Sequence, residues 1–255
     1  MMDRLAAVVL TLNESRHISA CLESLAWCDR VVVLDSYSTD DTVQRARSLG
    51  AEVIQHPWEN YAQQRNHALR VVEAEWILFV DADERATPEL AAEVQHVVAE
   101  RPENGWWIPR YNHIFGHRMR ATGWYPDYQL RLLRRGFAHY DPNRAVHEVV
   151  VLEGKDGYLT SHLIHYNYDT IGQFVEKQRR YLNYDVQVLL TTGIEPHWYT
   201  PVTQAFRHLY WRLISLGGWK DGLWGLLLSG MMGYYEGLKY RRAWLKSRQR
   251  GCHGG

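Results

Sequence analysis

The run Trp76-Ile77-Leu78-Phe79-Val80 constrains this chain more than any other stretch, because five consecutive apolar residues leave an extended segment no polar side to turn toward water. Such a run reads as a buried strand of a helix-covered parallel sheet. It delivers Asp81-Ala82-Asp83 at its end. Carboxylates two apart on an extended backbone share a side, so these two can grip one hard cation together or divide the work between a cation and the sugar it accompanies. A cation held there would neutralise a diphosphate. The plainer reading is an Asp-rich strand end that caps the following helix.

The upstream chain repeats the pattern. Leu5 to Leu12 is a second apolar run, rich in Val and ending in Thr11-Leu12-Asn13-Glu14. The spacing of Ile18, Cys21, Leu22 and Leu25 predicts a helix with Ser15 as its cap. Arg30 to Asp35 predicts a strand, Thr42 to Ser48 a helix closed by Gly50, Glu52 to Gln55 a strand and Asn60 to Val72 a helix. After Asp83, Thr87-Pro88-Glu89 supplies an N-cap, a proline at the first helical position and an acid in the first turn of a helix reaching about Glu100. Strict β-α alternation argues for an α/β domain with a mostly parallel central sheet and right-handed crossovers, whose ligand sits at the strand carboxyl ends.

Composition narrows the chemistry. At 255 residues and 46% apolar, the chain can build one large domain with an appendage, and disorder is excluded. Eleven Trp and sixteen Tyr suit sugar sites, membrane interfaces or simply a core. Cys21, Cys28 and Cys252 lack metal-ligand spacing and are odd in number, which points to a reducing compartment. The first residues lead straight into a strand, so no signal peptide is expected. Neither a Gly-x-Gly-x-x-Gly after the first strand nor a Walker loop is present, which removes support for a dinucleotide-binding Rossmann domain or a P-loop enzyme.

Taken in order, Thr11-Leu12-Asn13-Glu14, then Asp35-Ser36-Tyr37-Ser38-Thr39-Asp40-Asp41-Thr42, then Gln64-Arg65-Asn66-His67-Ala68, then Asp81-Ala82-Asp83, the chain resembles an inverting family-two glycosyltransferase with the GT-A nucleotide-sugar-binding fold. Pro126-Asp127-Tyr128-Gln129-Leu130-Arg131 and Val146-His147-Glu148 carry the resemblance toward the subgroup that adds glucose to the inner core of bacterial lipopolysaccharide. It implies a UDP-sugar donor whose uracil and ribose are bordered by Asn13, Glu14 and Asp35, with Arg65 and Asn66 beside the nucleotide. Asp81 would lie near the ribose or sugar, and Asp83 on a Mg²⁺ or Mn²⁺ bridging the diphosphate. For Arg65 the rival role is a helix-surface salt bridge. The resemblance further implies Glu148 as the general base, with Asp127 in reserve as base or acceptor contact. His165 is similar to the distal histidine that completes the metal site in several GT-A enzymes; a structural histidine bonded to backbone is the other reading.

The expected catalytic domain is residues 1–168, and residues 169–255 form a helical, basic appendage. From Pro201 onward nine Lys and Arg face two Asp and Glu, a net of +7, which leaves −7 on the first 200 residues. Helices are predicted from Thr170 to Leu190, from Val202 to the Gly217-Gly218 break, and over the apolar Gly222 to Leu238. The last is too short and Gly-rich to span a bilayer, and Ser229, Gly233 and Gly237 form a small-residue ridge that invites close approach of another helix. The basic end from Arg241 suits an anionic surface. The acceptor implied is a lipopolysaccharide core or another glycan or lipid-linked molecule, at the inner face of the cytoplasmic membrane, without nucleic acid. Two rivals remain: a nucleotidyltransferase, which would bring a Gly-rich basic loop after the first strand, and a non-catalytic membrane or nucleic-acid binding module led by the basic end.

Overall fold

The computed structural model describes residues 3–141 and 149–251, with side chains to residue 248. The chain runs β1 (Asp3–Thr11), α1 (Ile18–Glu23), β2 (Arg30–Asp35), α2 (Thr42–Ser48), β3 (Glu52–Gln55), α3 (Tyr61–Val71), β4 (Ala74–Asp81), β5 (Glu84–Ala86) and α4 (Pro88–Glu100). There follow β6 (Gly105–Ile114), β7 (His117–Arg118), β8 (Asp127–Arg134), β9 (Ala138–Tyr140), β10 (Val150–Leu152), β11 (Asp156–Tyr158) and β12 (Leu163–Tyr168). Three long helices close it: α5 (Ile171–Thr191), α6 (Thr200–Tyr210) and α7 (Gly222–Gly251).

The α/β class expected from the sequence is the one observed. In the main sheet the order is β3-β2-β1-β4-β8-β6-β12-β5. The four strands of the opening β-α alternation are parallel, but β8 pairs antiparallel with both β4 and β6, and β12 with β5, so the sheet is mixed. The change comes where the β-α repeat stops and short connections begin to join strands.

Successive residues of one strand enter two different cores. Leu5, Ala7 and Val9 of β1 and Trp76, Leu78 and Val80 of β4 pack beneath α1 and α4, while Ala6, Val8, Ile77 and Phe79 pack beneath α3. This is why the two runs are apolar at every position: each pleat face is covered by helix. Burying a side chain such as Phe79 contributes about 1.5 to 3 kcal/mol. Helix starts follow local chemistry at Asn60, whose side chain accepts from the Gln63 N–H at 2.9 Å, and at Thr87, which accepts from Leu90 at 3.2 Å. Ser15 does not cap α1; its N–H donates instead to Asp40 Oδ2 at 3.1 Å, drawn into a neighbouring loop.

The chain divides into two compact units, Met1–Arg110 with Asp127–His165, and Tyr111–Pro126 with Tyr166–Gly255. In the second, α5 opens with a capping box formed by Thr170 and Gln173. The small-residue ridge of α7 meets α6: a Cβ on Gly233 would lie 2.9 Å from the Ala205 carbonyl oxygen, and one on Gly237 2.9 Å from that of Pro201. The basic end is not a separate tail. It is the last turns of α7, where Ala243 is buried with Leu182, Val186 and Leu189 of α5, and Arg242 Nη1 donates to Asn183 Oδ1 at 2.8 Å.

Candidate active site

Strand register aligns the carboxyl ends of the parallel strands. Thr11 pairs with Asp35, Asp35 with Gln55, and Leu10 with Asp81, so the loops after β1, β2 and β4 open from one edge of the sheet. The loops after β1 and β2 are tied together. Asn13, at φ 57°, accepts from the Thr39 N–H at 2.8 Å, its own N–H donates to Ser38 Oγ at 2.8 Å, and the Glu14 N–H donates to Thr42 Oγ1 at 2.8 Å. Asp35 is wholly buried and holds this knot from below, accepting from Thr11 Oγ1 at 3.1 Å, from the Ser38 N–H at 2.9 Å and hydroxyl at 2.5 Å, and from Gln55 Nε2 at 3.2 Å.

The Glu14 carboxyl is half-buried in an acidic neighbourhood. Burial first, and then the charges of Asp83, Asp40 and Asp81, push its pKa up to about 7 against the opposing influence of Arg85. Asp40 moves the other way: burial raises it, but hydrogen bonds from Thr42 and Ser15 outweigh that and hold it at about 2.

Asp81 and Asp83 divide rather than share their surroundings, because β4 ends at Asp81 and the chain turns through Ala82 and Asp83. Asp81 is clasped by two buried guanidinium groups, accepting from Arg131 Nη2 at 2.5 Å and from Arg65 Nη2 at 3.1 Å. Burial alone would raise its pKa; Arg131, Arg65 and Arg110 together override this and hold it well below the usual carboxylate range. Arg65 is accordingly a buried ion-pair partner, not a surface salt bridge. Asp83 faces His165, whose Nε2 lies 3.3 Å from Asp83 Oδ2. The two are 82 positions apart in sequence, and the antiparallel pairing of β12 with β5, which sets His165 opposite Glu84, brings them together.

Asn66 occupies both ends of its amide with the backbone of Tyr140, donating to the carbonyl at 2.8 Å and accepting from the N–H at 2.8 Å. It pins β9 to α3. Asp127 accepts from Arg110 Nε at 3.0 Å and Nη2 at 2.6 Å on one oxygen, and from Gln129 Nε2 at 2.8 Å on the other. Glu148 lies outside the described residues.

A feature the sequence reading missed joins these groups. Glu84 is wholly buried, accepts from Arg110 Nη1 at 2.8 Å and lies 3.9 Å from Arg131 Nη2, so charges alternate along Arg65, Asp81, Arg131, Glu84, Arg110 and Asp127. Three cations and three anions cancel, which is what makes the burial tolerable. The available signal was Asp127, Gln129 and Arg131 at alternate positions of one strand, a polar face inside an otherwise apolar segment.

Residues 6–148, more than half of the chain, match the model of Glycosyl transferase family 2. The lipopolysaccharide core biosynthesis glycosyltransferase LpsC of Rhizobium meliloti (strain 1021) is 30% identical over 246 residues, 92% of this chain and 88% of that protein. The chain belongs to glycosyl transferase family 2. An uncharacterized glycosyltransferase of Rickettsia felis (strain ATCC VR-1525 / URRWXCal2) is 31% identical over 204 residues, 75% of this family 2 chain and 72% of its own length. Among solved structures, glucosyl-3-phosphoglycerate synthase from Mycobacterium tuberculosis, in complex with Mn²⁺, UDP and glucosyl-3-phosphoglycerate, matches 44% of each chain at 22% identity and a TM-score of 0.37. The enzyme class follows from the family: this chain is a glycosyltransferase.

Among the described residues no group of three or more His, Cys, Asp and Glu side chains could by itself hold a metal ion. Asp83 and His165 nevertheless offer an oxygen and a nitrogen donor converging within 3.3 Å. A pair of this kind fits Mg²⁺ or Mn²⁺ bound partly through substrate phosphates, since such ions take one or two protein donors and complete their shell with phosphate oxygen and water.

Proposed function

We propose that this chain is a metal-dependent, inverting hexosyltransferase that moves glucose from a UDP-sugar to a lipopolysaccharide core or a similar glycan or lipid-linked acceptor. The observation that carries the reading is the meeting of Asp83 and His165 at the carboxyl edge of the sheet, beside the Asn13-Glu14 loop. The acceptor class rests on the similarity to LpsC over nearly the whole chain.

In this reading Asn13 and Glu14 border the uracil and ribose, and Asp35 supports that loop from below. Asp83 and His165 hold the divalent cation, which when bound neutralises charge on the departing diphosphate. Arg65 and Arg131 fix Asp81 at the end of β4 near the ribose or sugar, and Asn66 sets the position of β9. Glu148 takes the proton of the acceptor hydroxyl as its oxygen attacks the anomeric carbon from the face opposite the leaving group. Asp127 is the reserve for that role, and its existing bonds to Arg110 and Gln129 favour a positioning task instead. Residues 1–168 carry the donor chemistry, and residues 169–255 the approach to the acceptor at the inner face of the cytoplasmic membrane.

Product formation from a panel of UDP- and GDP-sugars, with and without EDTA, tests the proposal. Transfer from UDP-glucose that EDTA abolishes and Mn²⁺ or Mg²⁺ restores is the expected result. Turnover that ignores EDTA, or that prefers a GDP-sugar, would overturn the metal or the donor assignment respectively.

A further inference from the structure

Helix α6 contains no buried residue, although it carries Val202, Phe206, Leu209 and Tyr210. Its contact with α7 is a narrow seam in which Pro201, Ala205 and Leu209 meet Gly233 and Gly237, and Gly225 and Ser229 continue the buried line along α7. After the seam positions, Val202, Phe206 and Tyr210 on α6 and Leu226 and Tyr234 on α7 are apolar and exposed, while Gly230 carries no side chain and Leu238 is half-buried against the α5 cluster. One residue turns a helix by about 100°. The seam contacts run in opposite sequence order, Gly233 against Ala205 and Gly237 against Pro201, so the helices are antiparallel. Antiparallel right-handed helices viewed from one end rotate in opposite senses, so a one-residue step beyond a shared seam turns both toward the same side. The two exposed stripes therefore form one face, extended by Leu223, the most exposed of them at 84%. Contiguous apolar surface of this kind marks an interaction site.

Charge selects the occupant. Both acids beyond Pro201 are engaged within the unit: Asp221 accepts from the Arg120 and Ala121 N–H groups and from the Thr122 hydroxyl, and Glu236 pairs with Lys239 at 2.8 Å. Arg207, Lys220, Arg241, Lys246 and Arg248 are exposed. A second copy would set like charges together, whereas an anionic headgroup layer neutralises them. Among the described residues no helix is long and apolar enough to cross a membrane, so the hairpin is suited to lie in the interface with aromatic rings at headgroup depth.

We propose that the exposed face of the α6–α7 hairpin docks on the surface of an anionic lipid bilayer, with Phe206, Leu223 and Tyr234 entering the headgroup boundary. The proposal rests on the reading that residues 169–255 approach a membrane-held acceptor, but docking by this face needs neither donor nor turnover, so its failure and the failure of the glycosyltransfer reading are separable.

The test is sedimentation of the full chain with vesicles of phosphatidylglycerol and phosphatidylethanolamine, and with phosphatidylcholine vesicles. The wild-type chain should partition to the anionic vesicles. The pair Phe206→Ser/Leu223→Ser should lower partitioning by at least about tenfold, the loss expected for each large apolar side chain no longer buried. Lys246→Glu/Arg248→Glu should weaken it at low salt and little at high salt. Because these side chains are exposed, the variants should melt with the wild type, and Tyr234→Ser alone supplies a milder probe of the same face. Equal partitioning of wild type and Phe206→Ser/Leu223→Ser, or no preference for anionic lipid, overturns the proposal. So does a lipid-free dimer in sedimentation velocity that the same pair abolishes, which would assign the face to a second copy.

Discussion

Glu14→Gln gives a pH signature that separates a functional loop from an ordinary surface carboxylate. The Glu14 pKa rises from 4.5 to about 7 in the folded chain, so the native state holds this proton more tightly than the unfolded one. Its effect on stability is therefore absent below pH 4.5, and a penalty grows as pH rises through the window to about 7. The difference between 4.5 and about 7 corresponds to about 3.4 kcal/mol at about 1.36 kcal/mol for each tenfold change in proton affinity. Glu14 is only half-buried, and screening by water reduces this to about 1 to 1.5 kcal/mol. Glutamine removes the charge and keeps the backbone N–H bond to Thr42 Oγ1. At pH 8 Glu14→Gln should stabilise the chain by that amount, raising Tm by about 2 to 6 °C, and at pH 4.5 it should leave Tm unchanged. Because Asp83 is the first charge responsible, the gain at pH 8 should shrink in an Asp83→Asn background, a coupling that the double-mutant cycle reads directly. Thermal unfolding of the four chains at both pH values decides it. An equal Tm change at pH 4.5 and 8, or destabilisation at pH 8, would refute the reasoning.

Asp83→Ala should abolish transfer while the fold persists, with Mn²⁺ affinity in the presence of UDP lost by calorimetry; activity retained in that variant would remove the metal role. Glu148→Gln should keep donor binding and lose about 10²- to 10⁴-fold in turnover, and a normal rate there with Asp127→Asn inactive would move the base to Asp127. Asp81→Asn should cost about 3 to 5 kcal/mol in urea unfolding, because it removes the carboxylate charge that the buried Arg65 and Arg131 both bond. Gly233→Leu should force α6 from α7 and cost about 1 to 3 kcal/mol, since even a Cβ at that position would lie 2.9 Å from the Ala205 carbonyl oxygen.

The sequence by itself determined the elements whose information is local. Continuous apolar runs at β1 and β4 could only be strands covered on both faces, Thr87-Pro88 and Thr170 could only open helices, and the ridge Ser229, Gly233, Gly237 required a close helical neighbour. The ordered motifs from Asn13 to Asp83 were equally legible, because three sit at the ends of their own strands and the fourth, Gln64-Arg65-Asn66, lies on one helix, α3. What the tertiary structure alone decided was partnership. That Asp81 would be closed by Arg65 and Arg131 while Asp83 faced His165 depends on β8 and β12 pairing with strands distant in sequence. The wholly buried Glu84 reads in sequence as one more acid beside Asp83, and only its contacts with Arg110 and Arg131 make it the centre of a neutral chain of charge. Asn66, placed beside a nucleotide by its motif, is held by the backbone of Tyr140, and the basic end, separated by its composition, is packed against α5. In each case the deciding interaction joins residues far apart in the chain, and spacing along one helix or strand carries no record of what another element will place against it.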